Sequence, residues 1–409
     1  MSTITKHTLP NGARILVEPN TNVNSAAIGL WCRTGSRHET DAEAGITHFI
    51  EHMLFKGTKT RTAKDIAESI EGRGGVLNAF TDKEHTCYYC RVLDSDVPNG
   101  IDVLTDMVLN SVLDPEEIAR ECGVIQEEIR RGEDEPGDHV HELHLGSRWG
   151  EHPLGKPIIG THDSVASFRH EHFAAYMHRR YRADNIVLAI AGRVEIDEIL
   201  RIATPLLEQF ESASEPTGRA TKPESKTAKR EVAKEVEQVH FCIGGDGWSS
   251  YDDDLYVGAV LDAVSGSGMS SRLFQEVRER RGLAYAIGSY SLSYSSAGAF
   301  TVYGGTGRQT WEAVQEVVRA EFDKLMKEPI PEEELMRAKN LMRGNMVLAL
   351  EGMSARMMRM SRNELVHERE IPMEETLAKL DAVTAEDVMA LANKILPADR
   401  VSTTAIGPF

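Results

Sequence analysis

The residues with the most chemistry in the shortest run are His48, Glu51 and His52, in GITHFIEHMLFKGT. Ile46, Phe49, Ile50, Met53 and Leu54 recur there at the spacing of an amphipathic helix, and Gly57 is placed to end it. Residues four apart share a helix face one turn apart, so His48 and His52 point the same way. Two imidazoles so placed suit one divalent ion such as zinc. Glu51 lies beside that face, within reach of a metal-bound water whose proton it would take. The pattern is HxxEH, the HExxH logic of zinc hydrolases in reverse order. Three fixed positions in five are a weak signal alone, because a helix with two satisfied histidines would carry the same letters.

A catalytic zinc needs a third protein ligand and an open position. Glu128 is the candidate, in an acid-rich stretch that starts at Asp114 and Pro115 and reads as a helix. Glu121 and Glu128 are seven apart and share a face with Val124. Glu127 points about 100° away and is the weaker choice. The plain alternative is a solvated acidic helix.

HxxEH followed by a glutamate 76 residues after His52 resembles the inverted-zincin peptidases typified by pitrilysin, insulin-degrading enzyme and the mitochondrial processing peptidase β-subunit. ECGVIQEE is similar to that family's paired acids, and the likeness, to a short bacterial branch, covers nearly the whole chain. The resemblance implies that His48, His52 and Glu128 hold one Zn²⁺ per chain, that Glu51 is the general base and that Glu121 supports the site. Arg278 and Tyr285, in VRERRGLAYAIGS, match the family's Arg/Tyr pair, which would anchor the peptide and stabilise the developing oxyanion. Asn78, Ala79 and Phe80, with Thr81 at the end of the run after Gly74 and Gly75, match its substrate-binding edge strand, where an extended peptide adds through main-chain hydrogen bonds.

The resemblance also implies that the chain forms half of a clamshell closed by a second, identical chain, with Arg278 and Tyr285 serving the partner's metal. The implied activity is that of a zinc metalloendopeptidase hydrolysing peptides or small unfolded polypeptides in a dimeric chamber. Two alternatives share the fold: a processing peptidase for one leader or precursor peptide, and a non-catalytic assembly protein like the core subunits of respiratory complexes.

These residues need a large scaffold. A chain of 409 residues exceeds one ordinary hydrophobic core, so two domains are expected. Residues 212–235 are rich in Ser, Thr, Lys and Glu and read as a linker. Six patterns recur in the same order on either side of it. SAAIGLWCRTGS is matched by QVHFCIGGDGWSS, and AGITHFIEHMLF by DLYVGAVLDAVS. Hairpin runs, amphipathic helices, acid-led helices and a last strand follow in step. The reading is a duplication, with domains at 1–213 and 233–409 and a linker at 214–232. Hairpins and helices intermix without βαβ alternation, so each domain is expected to be α+β, a mainly antiparallel sheet packed with helices. DLYVGAVLDAVS lacks counterparts of His48, Glu51 and His52, which confines the metal to the first half.

Composition excludes other classes. A net charge of −18 opposes nucleic-acid binding. No window approaches the roughly 18 apolar residues of a membrane span. MSTITKHTLPNGARILVEPN lacks a signal-peptide core, which reads as cytoplasmic, or as a mature form whose leader is missing. Five scattered cysteines suit reduced thiols, and Cys87 and Cys90, three apart on a strand, should face opposite ways. GSGMSSR, from Gly266, lacks the phosphate-loop lysine. His139, His141 and His144 have no carboxylate or Cys partner set and read as surface histidines. Met353–Met360 reads as a packed or interfacial helix with Met filling gaps.

Overall fold

Runs of β-branched and small apolar residues pair into two sheets in the computed structural model, which describes residues 4–212 and 220–409. The first sheet contains β1 (Thr5–Thr8), β2 (Arg14–Pro19), β3 (Ser25–Cys32), β4 (Val76–Thr81), β5 (Thr86–Leu93) and β6 (Ile186–Gly192). Its order is β1-β2-β6-β3-β5-β4, antiparallel except where β2 meets β6. The second contains β7 (Lys229–Ala233), β8 (Gln238–Asp246), β9 (Ala284–Ser293), β10 (Gly298–Gly307) and β11 (Ser402–Gly407). Its order is β7-β11-β8-β10-β9, antiparallel except where β7 meets β11. Without β1 the two orders coincide, strand for strand. The duplication is therefore present in the topology, and both halves are α+β.

Each sheet is covered on both faces, which is why its central strands are apolar on both sides. On the first sheet, Ile28, Leu30 and Ile190 pack with Phe49, Ile50, Leu104 and Ile199 of three helices. Burying each such side chain contributes roughly 1.5–3 kcal/mol. The opposite face lies under the helix Met353–His367, whose Met353, Met357 and Met360 meet Leu16, Ala27, Trp31 and Val187. Gly29 permits that approach, since a Cβ there would stand 2.5 Å from the Met357 sulfur. On the second sheet, Phe241 and Ile243 pack with Val260, Leu261, Val314 and Leu391. Its other face lies under the helix Pro136–Trp149, where Val140 meets Cys242 and Ile406.

The covering helix of each sheet thus comes from the other sequence half. One compact unit holds 4–129, 157–212 and 349–370; the other holds 130–156, 220–348 and 371–409. The sequential division at 1–213 and 233–409 follows the repeat instead. Residues 213–219, with the start of the expected linker, lie outside the described residues. The end of that linker is strand β7, which corrects the sequence reading. KREVA looked like linker because β7 is an exposed edge strand, whereas its counterpart β2 is flanked by β1 and carries the buried run RILV.

Cys87 and Cys90 do face opposite sides of β5, Cys87 toward Met357 and Cys90 toward Ile28, and all five cysteines are free thiols. The histidine cluster needs correction: His144 is fully buried, with Nδ1 3.2 Å from Thr404 Oγ1, and His141 Nδ1 lies 2.8 Å from the Tyr290 hydroxyl. These are not surface histidines, because their helix is the one that covers the second sheet. Among the described residues, no helix is long and apolar enough to cross a membrane.

Candidate metal centre

The helix Ile46–Leu54 begins at Gly45 in the left-handed region, φ +92°. Its first amides would be left without partners. The half-buried Glu39 carboxylate takes two of them, accepting from Gly45 N at 2.8 Å and Thr47 N at 2.9 Å. Burial pushes Glu39 up to about 7 against the pull of those bonds. Gly45 abuts Gly160, itself at φ +83°, and a Cβ on either would strike backbone at 2.5 Å or less. Ile46, Phe49, Ile50, Met53 and Leu54 are buried, so the remaining face carries His48, Glu51 and His52 outward, each half-buried. The helix ends at Leu54, three residues before Gly57.

The second element is the helix Pro115–Asp134, opened by Asp114, which accepts from Glu116 N at 2.8 Å. Ile118, Ile125 and Ile129 seat it, Glu121 is buried with them, and Glu128 is exposed at its end toward the histidines. Glu128 Oε2 lies 3.9 Å from His48 Nε2 and 3.7 Å from His52 Nε2. One ligand atom from each of the three residues lies within 4.8 Å of the other two. Nitrogen and oxygen ligands at 2.0–2.1 Å around a tetrahedral zinc stand about 3.3–3.5 Å apart. The two separations from Glu128 exceed that by about half an ångström or less and the third is bounded by the same 4.8 Å, so the set fits a metal ion after side-chain movements of about an ångström. Two imidazoles and a carboxylate suit zinc, and manganese or cobalt as well.

The two histidines are held differently. His52 Nδ1 lies 2.8 Å from Glu121 Oε1, and the other Glu121 oxygen accepts from Lys56 Nζ at 2.6 Å. Burial raises the Glu121 carboxyl, but hydrogen bonds from His52 and Lys56 outweigh it and hold the group below the usual range. His48 Nδ1 is buried and has no hydrogen-bond partner among the described residues. Burial, then the neighbouring His52, pushes His48 down to about 4. It is a neutral imidazole near pH 7, the form that binds metal. Burial holds Glu51 above the usual carboxylate range, opposed by a hydrogen bond that Thr81 Oγ1 donates to its Oε2.

Thr81 ends β4, and Asn78, Ala79 and Phe80 precede it on the same strand. β4 is the outermost strand of its sheet, with Asn78 exposed and Phe80 stacked edge-on against Trp31 at 5.5 Å. The expected substrate strand and the Glu51 carboxylate are therefore joined directly. In the other unit, Arg278 lies in the wide π-turn Phe274–Glu279, its guanidinium 4.8 Å from the Phe274 ring centre and 4.7 Å from that of Tyr285. Tyr285 is 78% exposed. Lys56 and Glu39 are not singled out from the sequence, and Thr81 enters there only as the end of the substrate strand. Lys56, one helical turn after His52, was the findable one; Glu39 and Thr81 reach the helix only through tertiary contacts.

Residues 14–162 match the family described as Insulinase (Peptidase family M16), and residues 167–342 match the family's Peptidase M16 inactive domain. A Bacillus subtilis protein named an uncharacterized zinc protease is 41% identical over 97% of this chain and 96% of its own. This chain belongs to the insulinase family, peptidase family M16. It is accordingly a metallopeptidase by family. A Streptomyces coelicolor protein, also named an uncharacterized zinc protease, is 38% identical over 100% of this chain and 90% of its own. The crystal structure of a protease from Helicobacter pylori has the same fold, with a TM-score of 0.93 at 21% identity and full coverage of both chains. The inactive-domain match falls on the half of this M16 chain whose helix lacks the HxxEH residues.

Proposed function

We propose that this M16 chain is a zinc metalloendopeptidase that hydrolyses peptides or small unfolded polypeptides. The carrying observation is the convergence of His48, His52 and Glu128, whose ligand atoms lie within 4.8 Å of one another. His48, His52 and Glu128 would hold the zinc. When bound, zinc lowers the pKa of a water toward about 7 and polarises a carbonyl. Glu51 takes the proton from the attacking water and returns it to the leaving amine, a role suited to a carboxyl held above its ordinary range. Thr81 fixes the carboxylate, and the open edge of β4 at Asn78, Ala79 and Phe80 grips an extended peptide beside it. Peptides are thus the expected partners.

The proposal includes a homodimer enclosing a chamber, in which Arg278 and Tyr285 of one chain bind substrate and steady the oxyanion at the other's metal. The exposure of Tyr285 and its stacking on Arg278 support that assignment.

Glu51→Gln tests the chemistry. Bound zinc should stay at the wild-type level while turnover of a quenched peptide falls by roughly 10²–10⁴-fold. Unchanged turnover would remove Glu51 from the mechanism. Mixing Glu51→Gln chains with Tyr285→Phe chains tests the sharing, since hybrid dimers should recover activity that neither variant has alone. Hybrids that stay inactive would place Tyr285 in the service of its own chain.

A further inference from the structure

We infer that Lys56 is a positioning residue for the metal centre, acting on His52 through Glu121. The inference rests on the zinc reading above and extends it one layer outward. Lys56 Nζ stands 2.6 Å from Glu121 Oε2, and Glu121 Oε1 stands 2.8 Å from His52 Nδ1. The three side chains form a single line ending at the imidazole whose Nε2 faces Glu128. Both Glu121 oxygens are committed, and the side chain is only 6% exposed. A carboxylate so enclosed is retained where its charge and lone pairs are satisfied. Among the described residues, Lys56 supplies the one full positive charge paired with it, His52 being needed neutral by a metal.

The geometry makes the carboxylate a fixed post. Glu121 accepts the Nδ1 proton of His52, which sets the tautomer and turns Nε2 toward the ion. Lys56 holds the post against rotation by taking its other oxygen. It is placed to do so by the helix, because position 56 follows position 52 by one turn, past the last helical residue Leu54. His48 has no such support, its Nδ1 being buried without a partner among the described residues. The centre is thus braced from one side.

Lys56→Met removes the charge and keeps the stem, and Lys56→Arg restores it. Zinc affinity, read by competition with a chelator of known affinity, should fall roughly 10–100-fold in Lys56→Met. Lys56→Arg should recover most of it; the metal-free Lys56→Met protein should keep the wild-type circular dichroism but melt lower, because the buried Glu121 loses its cation, and Lys56→Arg should restore that as well. In a Glu121→Gln background, Lys56→Met should add no further loss, since the two act in series. Wild-type affinity in Lys56→Met, or independent losses in the double variant, would overturn the inference and leave the zinc site standing. A wild-type chain that takes up no zinc would instead overturn the zinc reading.

Discussion

The two repeats build the same corner and use it differently. In the first, the helix Ile46–Leu54 lies against edge strand β4, and its Glu51 accepts a hydrogen bond from Thr81 on that strand. In the second, the helix Leu255–Ser265 lies against edge strand β9, and its Asp262 accepts from Ser289 and Ser291. An acid on the helix tied to a hydroxyl on the edge strand is therefore part of the architecture. His48, His52 and Glu128 are not: the second helix, LYVGAVLDAVS, carries no imidazole. The difference separates what orients a carboxylate from what makes it a base.

Removing the metal ligands should break that contrast most severely. Ala at both His48 and His52 should abolish zinc uptake and bring turnover to background, making the first repeat as inert as the second. Zinc retained at the wild-type level in that variant would place the ion elsewhere. Thr81→Val should act more gently, lowering turnover roughly 10–100-fold with zinc content unchanged, in keeping with about 1.5–3 kcal/mol for a hydrogen bond to a charged group. An unaltered rate would make the Thr81 contact architectural only, like its counterpart.

Asp262→Asn should leave zinc and turnover at wild-type levels and change only stability. Burial pushes Asp262 up to about 6 from an ordinary 3.8. Folding therefore favours its protonated form, and that stabilisation is present at low pH and lost as pH rises through about 6. Relative to Asp262→Asn, the wild type should lose stability between pH 4 and 6, on the order of 3 kcal/mol. Parallel denaturation curves for the two proteins across that range would remove Asp262 from the pH response.

Much of this is legible in the sequence alone. The 3.6-residue spacing of Ile46, Phe49, Ile50, Met53 and Leu54 fixed which way His48 and His52 point, and the seven-residue step from Glu121 to Glu128 put both acids on one face. What was hidden depended on partners distant in sequence. The exchange of the helices Pro136–Trp149 and Met353–His367 leaves no local mark beyond their apolar residues, so His144 was read as exposed. β7 was read as linker because an edge strand with water on its flank has no need of an apolar run. Thr81 sat in the quoted strand, but only the packing of β4 on the signature helix brings its hydroxyl to Glu51.

Diffraction from zinc-loaded crystals on both sides of the zinc absorption edge would test the central assignment most directly. One anomalous peak per chain is expected, about 2.0–2.2 Å from His48 Nε2, His52 Nε2 and a Glu128 oxygen. A peak on other side chains, or none at that corner of the first repeat, would contradict it.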